Sequence, residues 1–403
     1  VPTGGSSHPW APDLVFTHGK FYIYVTIPSY REDGSRRFQN FVYHAERIEG
    51  PWSEPIDLGI DGWIDPGHLT DKEGNRFLFM EKEFAVELTR DGLATAGEFR
   101  KFYTAWEYPL EWDVGCWCLE APKLFVRGDY YYLVTAMGGT GMPATAHMAA
   151  VSRSDSPHGP WEHSPYNPLI HTFSMEDAWW SQGHASLIEH TDGSWWAMFH
   201  GIENGHRELG RQTLLLPVDW TSDGWPVVKD GIRAGDLIKK PQGENVGHGI
   251  PLSDDFTGKG PGFQWIIPTR DLEHARFGGG ELVLEARGSS PKDALVVRVK
   301  HVNYSFEVSV EVEIEAGSEG GILLGGHGIG LKKGDPPFYP AEQFDPADFP
   351  FSPVLYNSGN LVRHRSPELE GYGYHLPVIH LKIINNRNNL SFYMSEDGES
   401  WIK

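Results

Sequence analysis

The 403-residue sequence lacks several features that identify common classes of protein. No apolar run approaches the roughly 20 residues that a membrane-spanning helix needs. Basic residues are few, 34 against 55 acidic ones, and the resulting net charge of −21 argues against nucleic acid or an anionic membrane as a partner. No helical periodicity of apolar residues is sustained, so helices should be scarce.

Cysteine is also scarce, with two residues, Cys116 and Cys118, separated by one position. The pair provides neither a disulfide framework nor a zinc site. On a strand the two side chains would share one face, about two residue rises apart, in an orientation poorly suited to a mutual disulfide. We therefore expect both to be small buried apolar residues.

Glycine and proline are abundant, with 47 and 29 residues, which fits many tight turns between short strands. A unit recurs four times, each copy starting with a polar or ionisable residue and entering a strand rich in aromatic residues. The copies are centred on Pro12, Pro66, Pro122 and His184, at spacings of 54, 56 and 62 residues. A period of about 50 residues, built of short strands, indicates the blades of a β-propeller. The blade units cover about residues 10–60, 61–104, 116–170 and 178–232.

The chain is longer than one hydrophobic core usually supports, so two domains are expected. Residues 1–238 form the propeller domain in this interpretation. Composition shifts to Pro, Gly, Gln and Asn over residues 239–251, which indicates a linker. Alternating apolar and polar residues in 252–403 predict a second all-β domain, a two-sheet sandwich.

Several ordered motifs together resemble glycoside hydrolase family 43. They are Trp10-Ala11-Pro12-Asp13, Asp65-Pro66, Glu120-Ala121-Pro122, Gly183-His184-Ala185 and Leu209-Gly210-Arg211-Gln212-Thr213. The resemblance covers nearly the whole chain. It implies a five-bladed β-propeller, of which four blades are present here, followed by the concanavalin-like β-sandwich of the family's β-xylosidases.

The activity implied by the resemblance is removal of terminal xylose or arabinose from plant cell-wall (arabino)xylan oligosaccharides, with inversion of configuration. An oligosaccharide is then the partner, and assembly into a homo-oligomer is compatible with the family. No cofactor is required, although family members often hold a calcium or other ion at the propeller axis, where His184 is expected. A hydrogen-bonded core histidine is the alternative for His184, because one histidine does not define a metal site.

Glycoside hydrolysis needs one protonated carboxylic acid and one carboxylate that activates water. By resemblance Glu120 is the general acid, and Asp65 is the carboxylate that tunes the pKa of the acid. Apolar neighbours of Glu120 should raise its pKa by desolvation, and a negative charge nearby should raise it further. For each carboxylate taken singly, the alternative to a catalytic role is to form a turn next to proline.

The remaining candidates are predicted to contact the sugar. Arg211 resembles the family's pocket arginine, with a surface charge as the alternative. Aromatic rings stack on sugar faces, although most of the 15 tryptophans must belong to the core. The tryptophan candidates are Trp63, Trp117, Trp179 and Trp180. Asp13 is expected to be a pocket or turn residue.

The sequence departs from the family at the general base. The resemblance places that aspartate in a first blade, before Trp10, and only nine residues precede Trp10. Three explanations compete: the sequence is a fragment, the chain is an inactive sugar-binding relative, or another acid such as Asp13 replaces the base. We favour the fragment. No targeting segment is recognisable, so the sequence assigns no compartment.

Overall fold

A computed structural model describes residues 9–244, 251–289, 293–301, 303–315, 317–324, 327–333, 351–357, 360–362 and 378–403. The chain divides into two compact units, residues 1–244 and 245–403. The division falls inside the stretch predicted as a linker, of which residues 245–250 lie outside the described part.

The first unit contains four antiparallel sheets that follow one another along the chain. The strands of the first two sheets are β1 (Trp10–Thr17), β2 (Lys20–Tyr30), β3 (Arg36–Ala45), β4 (Ile56–Asp61), β5 (Gly67–Thr70), β6 (Arg76–Phe79), β7 (Phe84–Leu88) and β8 (Arg100–Lys101). Those of the next two are β9 (Leu119–Arg127), β10 (Tyr130–Met137), β11 (Met148–Ser154), β12 (Glu162–His163), β13 (Ile170–His171), β14 (Trp179–Glu189), β15 (Trp195–Glu203), β16 (Arg211–Trp220) and β17 (Pro226–Val228). The four sheets match the four predicted blade units and confirm the all-β propeller architecture.

Apolar packing between successive sheets explains why several strands are apolar on both faces. In β6, Leu78 packs into a cluster shared with the first sheet, whereas Phe77 and Phe79 pack into one shared with the third. In β10, Leu133 faces the second sheet and Val134 faces the fourth. Neighbouring residues of a strand point to opposite faces, so the second and third sheets are covered on both sides.

The first strands of the sheets lie next to one another: β1 contacts β5, β5 contacts β9, and β9 contacts β14. Gly67, at the start of β5, marks how closely they approach. A Cβ atom added there would lie 1.7 Å from the carbonyl oxygen of Pro122 in β9. Glycine is therefore required at this position, and the polar residues at the strand starts are brought to a common centre.

The second unit is also built of strands. They are β18 (Trp265–Ile266), β19 (Ala275–Gly278), β20 (Glu281–Leu284), β21 (Arg298–Val299), β22 (Ser305–Glu313), β23 (Glu319–Leu324), β24 (His327–Lys333), β25 (Phe351–Asn357), β26 (Asn360–Val362), β27 (Val378–Asn386) and β28 (Asn389–Ser395). Strands β22-β27-β28 and β23-β24-β25-β26 form its two larger sheets. Ile314, Ile379 and Leu381 pack in a core between them, which confirms the predicted sandwich.

Helix is confined, within the described residues, to two short 3₁₀ segments, Arg207–Leu209 and Thr269–His274. This agrees with the scarcity of helix expected from the sequence. No helix in that part of the chain has the length and apolar character needed to cross a bilayer.

Candidate active site

Three of the predicted site residues converge. A carboxylate oxygen of Asp65, one of Glu120 and a ring nitrogen of His184 all lie within 4.8 Å of one another. Glu120 is in β9, His184 is in β14, and Asp65 lies just before β5. Corresponding places in three successive repeats therefore supply one cluster, as the repeat predicted.

The backbone at these positions is unusual and helps to aim the side chains. Asp65, Ala121 and His184 adopt φ values of 56°, 51° and 56°, in the left-handed region that non-glycine residues rarely enter. Pairing of β9 and of β14 with their neighbours also shifts register beside Glu120 and His184. Such bulges redirect side chains, and left-handed residues of this kind concentrate at functional sites.

The protonation of the carboxyl pair follows from its burial. Desolvation, and after it the negative charge of Glu120, raise the pKa of Asp65 to about 7 against the opposing charge of Lys123. Burial also raises the pKa of Glu120, opposed by a hydrogen bond that Thr140 Oγ1 donates to Oε1 at 3.3 Å. Two buried carboxyls this close do not both ionise readily, so the pair retains a proton near neutral pH.

Two further charged residues act on Glu120, and the sequence had pointed to one of them. Arg211 begins β16 and is exposed, and its positive charge lowers the pKa of Glu120. Glu81 was not predicted, yet its negative charge raises the pKa of both Asp65 and Glu120. Arg211 is thus near enough for its charge to favour the ionised form of Glu120.

Asp13 and Lys123 form a partly buried ion pair at the centre of the inner strands. Lys123 Nζ lies 3.0 Å from Asp13 Oδ1 and donates to the carbonyl oxygens of Pro12 and Pro66, each at 3.1 Å. The other Asp13 oxygen accepts the backbone N–H of His68 at 2.8 Å. Both Asp13 oxygens are engaged, so this side chain ties β1, β5 and β9 together.

Replacing Lys123 with methionine should destabilise the propeller by about 2–3 kcal/mol, because it leaves the largely buried Asp13 without its partner. The two side chains are 11% and 16% exposed. The matched control is Arg47→Met, since Arg47 and Glu49 form a pair at 3.4 Å with exposures of 76% and 67%. That change should cost less than about 0.5 kcal/mol. Calorimetric unfolding measures both, and equal losses would contradict the role assigned to Lys123.

His184 also belongs to a second cluster, with His147 and His200, whose nearest ring nitrogens lie within 4.8 Å of one another. Burial lowers the pKa of His147 to about 4 and of His184 to about 3, so both rings are neutral at neutral pH. His147 Nδ1 is 3.0 Å from the carbonyl oxygen of Gly138, and its Nε2 has no hydrogen-bond partner. The structure buries His147 completely, and the sequence did not indicate His200.

The tryptophan candidates have different surroundings. Trp63 is half-buried and stacks on Phe99, with ring centroids 4.6 Å apart. Trp180 is also half-buried and donates its indole N–H to the carbonyl of Met175 at 3.0 Å. Trp117 is 54% exposed beside Tyr108. Of these three rings, Trp117 offers the largest free surface to a sugar.

The expectation for the cysteines is wrong. Cys116 and Cys118 form a disulfide, with Cα atoms 5.3 Å apart, and neither is buried. The expectation placed both on an extended strand, but they lie in a loop before β9 begins at Leu119. Their Cα separation is shorter than the roughly 6.6 Å of two strand rises, so the backbone bends between them and the two side chains meet.

Comparison with known proteins places this chain in a family. The family model described as "Glycosyl hydrolases family 43" matches residues 2–226. A non-reducing end α-L-arabinofuranosidase of Bacteroides ovatus is 34% identical over 66% of this chain and 48% of its own length. A xylan 1,3-β-xylosidase of a Vibrio species is 29% identical over 61% of this chain and 49% of its own length. The chain thus spans about half the length of these curated relatives.

Solved structures agree on the fold. A crystal structure of xylan β-1,4-xylosidase from Bacillus halodurans matches 98% of this chain and 78% of its own, with a TM-score of 0.72 and 24% identity. The Bacteroides ovatus protein titled "Xyloglucan PUL GH43B" matches 98% of this chain and 77% of its own, with a TM-score of 0.69 and 22% identity. Since the family model covers more than half of the residues, the chain belongs to glycoside hydrolase family 43.

Proposed function

We propose that the protein is a glycoside hydrolase that removes terminal xylose or arabinose from (arabino)xylan oligosaccharides with inversion of configuration. The observation that carries this proposal is the pairing of buried Asp65 with half-buried Glu120, whose nearest oxygens lie within 4.8 Å. Burial and mutual repulsion keep a proton on the pair near neutral pH. That is the state a general acid needs before it acts.

In the proposed reaction Glu120 gives its proton to the glycosidic oxygen as the bond to the sugar breaks. Asp65 remains beside it, and whenever Asp65 is ionised its negative charge favours the protonated form of Glu120. Afterwards the Thr140 hydroxyl, at 3.3 Å, and the positive charge of Arg211 stabilise the Glu120 carboxylate. His184 is neutral, and its Nδ1 is buried without a hydrogen-bond partner, so this ring adds no charge beside the carboxyl pair.

Inversion also needs a carboxylate that activates water on the opposite side of the sugar. Asp13 does not suit this role, because Lys123 and the His68 N–H occupy both of its oxygens. We assign the base to none of the described residues. If no such base acts, sugar binding without turnover is the second candidate function, and the engagement of Asp13 favours it.

We propose that the three-histidine cluster does not hold calcium. His147, His184 and His200 would offer three neutral imidazole nitrogens, two of them from rings whose pKa burial lowers to about 3 or 4. Calcium prefers oxygen ligands, whereas imidazole suits zinc, copper or nickel. This donor set therefore does not fit the calcium ion that the family resemblance suggested, and the proposed reaction does not use that ion.

The test is hydrolysis of xylobiose and of arabino-oligosaccharides by the full-length gene product, followed by proton NMR. We expect a monosaccharide whose first-formed anomer has the configuration opposite to that of the bond cleaved. A retained anomer would contradict inversion. Absence of turnover, with calorimetric binding of the same oligosaccharides, would replace hydrolysis by the binding function.

A further inference from the structure

The disulfide closes a small covalent ring that contains Trp117. Backbone hydrogen bonds also hold both ends of the surrounding loop, residues 114–118. Gly138 N–H donates to the carbonyl of Cys118 at 2.9 Å, and Gly139 N–H donates to that of Val114 at 2.8 Å. The chain leaves the ring directly into Leu119 and Glu120. The covalent ring and the general acid therefore belong to one continuous rigid segment.

Trp117 itself is not a core residue. Its side chain is 54% exposed and touches Tyr108, with ring centroids 5.0 Å apart. An exposed tryptophan in a loop would normally sample several orientations, because little packing opposes its rotation. The disulfide restricts the backbone on both sides of Trp117, so the indole ring stays in one place, where a ligand can reach it.

A pocket of about 230 Å³ lies against this tryptophan. Trp117, Leu119 and Phe84 supply apolar surface. Charged side chains line the rest of it: Lys82, Glu83 and Lys101. Apolar surface bordered by a few hydrogen-bonding groups suits a sugar ring, which has an apolar face and polar edges.

The pocket adjoins the carboxyl pair. Lys82 N–H donates to the carbonyl of Leu119 at 3.2 Å, so the turn that forms one wall lies against the residue preceding Glu120. Glu81, the residue before Lys82, is close enough for its charge to act on both Asp65 and Glu120. The pocket wall and the carboxyl pair are thus linked through adjacent residues, Leu119 with Glu120 and Lys82 with Glu81.

We propose that the Cys116–Cys118 disulfide fixes Trp117 as the wall of a second sugar-binding pocket beside Glu120, so that reducing the disulfide weakens binding of longer oligosaccharides. The inference rests on the proposed function for its kinetic test. Reduction needs a dithiol, which supplies two electrons and two protons. The S–S bond breaks, two thiols form on the protein, and the dithiol becomes a cyclic disulfide. Cys118 is exposed, so such a reagent reaches it.

The test compares xylotriose with nitrophenyl xyloside, which has one sugar, before and after dithiothreitol treatment of the full-length protein. Reduction should raise KM for xylotriose about 5–10-fold and change kcat and the KM for nitrophenyl xyloside less than about 2-fold. The Cys116→Ser/Cys118→Ser variant and Trp117→Ala should reproduce this pattern, and the cysteine variant should not respond to dithiothreitol. Trp196→Ala, a half-buried tryptophan on β15, is the matched control.

Reoxidation of the treated wild-type protein should restore the original KM, which separates the local effect from misfolding. Equal xylotriose KM values for oxidised and reduced protein would overturn the inference. Binding of xylotriose to Glu120→Gln, measured by calorimetry with and without reduction, keeps the question separate from catalysis. If binding weakens on reduction while the wild type has no turnover, the pocket stands and the proposed hydrolysis fails.

Discussion

Replacing Glu120 with glutamine should lower kcat on xylobiose about 1,000-fold, with KM changed by less than about 3-fold. Glutamine keeps the size of the side chain and its contact with Thr140, but it has no proton to give to the glycosidic oxygen. Proton donation by a positioned acid contributes on the order of 100- to 10,000-fold. Steady-state hydrolysis by the full-length protein measures the loss.

The matched control for this change is Glu189→Gln. Glu189 is the last residue of β14 and is exposed, so its substitution removes a carboxyl from the same propeller without touching the pair. It should retain the wild-type kcat. A Glu120→Gln protein that hydrolyses xylobiose within about 10-fold of the wild type would exclude Glu120 as the general acid.

Replacing Asp65 with asparagine should have opposite effects on activity and stability. The variant should lose about 100-fold in kcat/KM near neutral pH, because Glu120 then gives up its proton at lower pH and the acid is depleted. The basic limb of its pH–rate profile should move towards lower pH. A basic limb in the wild-type position would show that Asp65 does not control the proton on Glu120.

The stability of the same variant should rise at neutral pH. Asp65 is 3% exposed, and its pKa is raised from 3.8 to about 7 in the folded protein, so ionising it opposes folding. This cost is absent below about pH 4, grows as pH rises and is complete above pH 7. Asparagine cannot ionise, so the variant avoids this cost. Its hydrogen bond from the Ala121 N–H is weaker than that of a carboxylate, and the net gain in the free energy of unfolding should be about 2 kcal/mol at pH 7. Thermal unfolding at pH 4, 5.5 and 7 measures the stability of Asp65→Asn and of the exposed control Asp219→Asn. The free energy of unfolding should rise only for Asp65→Asn, and only at the higher pH values.

The repeat in the sequence predicted the part of the site that follows from periodicity. Asp65, Glu120 and His184 occupy corresponding positions in successive units, so a propeller necessarily brings them together. His200 escaped prediction because it lies on a second strand. The one signal for His200 is that it lies opposite Gly183 across the β14–β15 pair. Recognising this position requires the register of the hairpin to be known.

Side-chain exposure in loops was not predictable from local sequence. Trp63 and Trp117 both precede a motif carboxylate by two or three residues. Phe99, distant in sequence, covers Trp63, whereas Trp117 keeps more than half of its surface free. The cysteine expectation failed for a related reason. Alternation along a strand was applied to residues that lie before the strand begins, where the backbone turns and brings the sulfurs together.

The proposed hydrolysis depends most on Glu120 as the proton donor, and the dependence of the rate on the leaving group tests that role directly. Aryl xylosides with leaving groups of graded acidity are hydrolysed by wild type and by Glu120→Gln. Departure of phenol from the sugar needs a proton donor, whereas dinitrophenolate is stable enough to leave without being protonated. We predict that the variant loses about 1,000-fold on the phenyl glycoside and less than about 10-fold on the dinitrophenyl glycoside. Equal losses on both substrates would contradict the assignment of Glu120 as general acid.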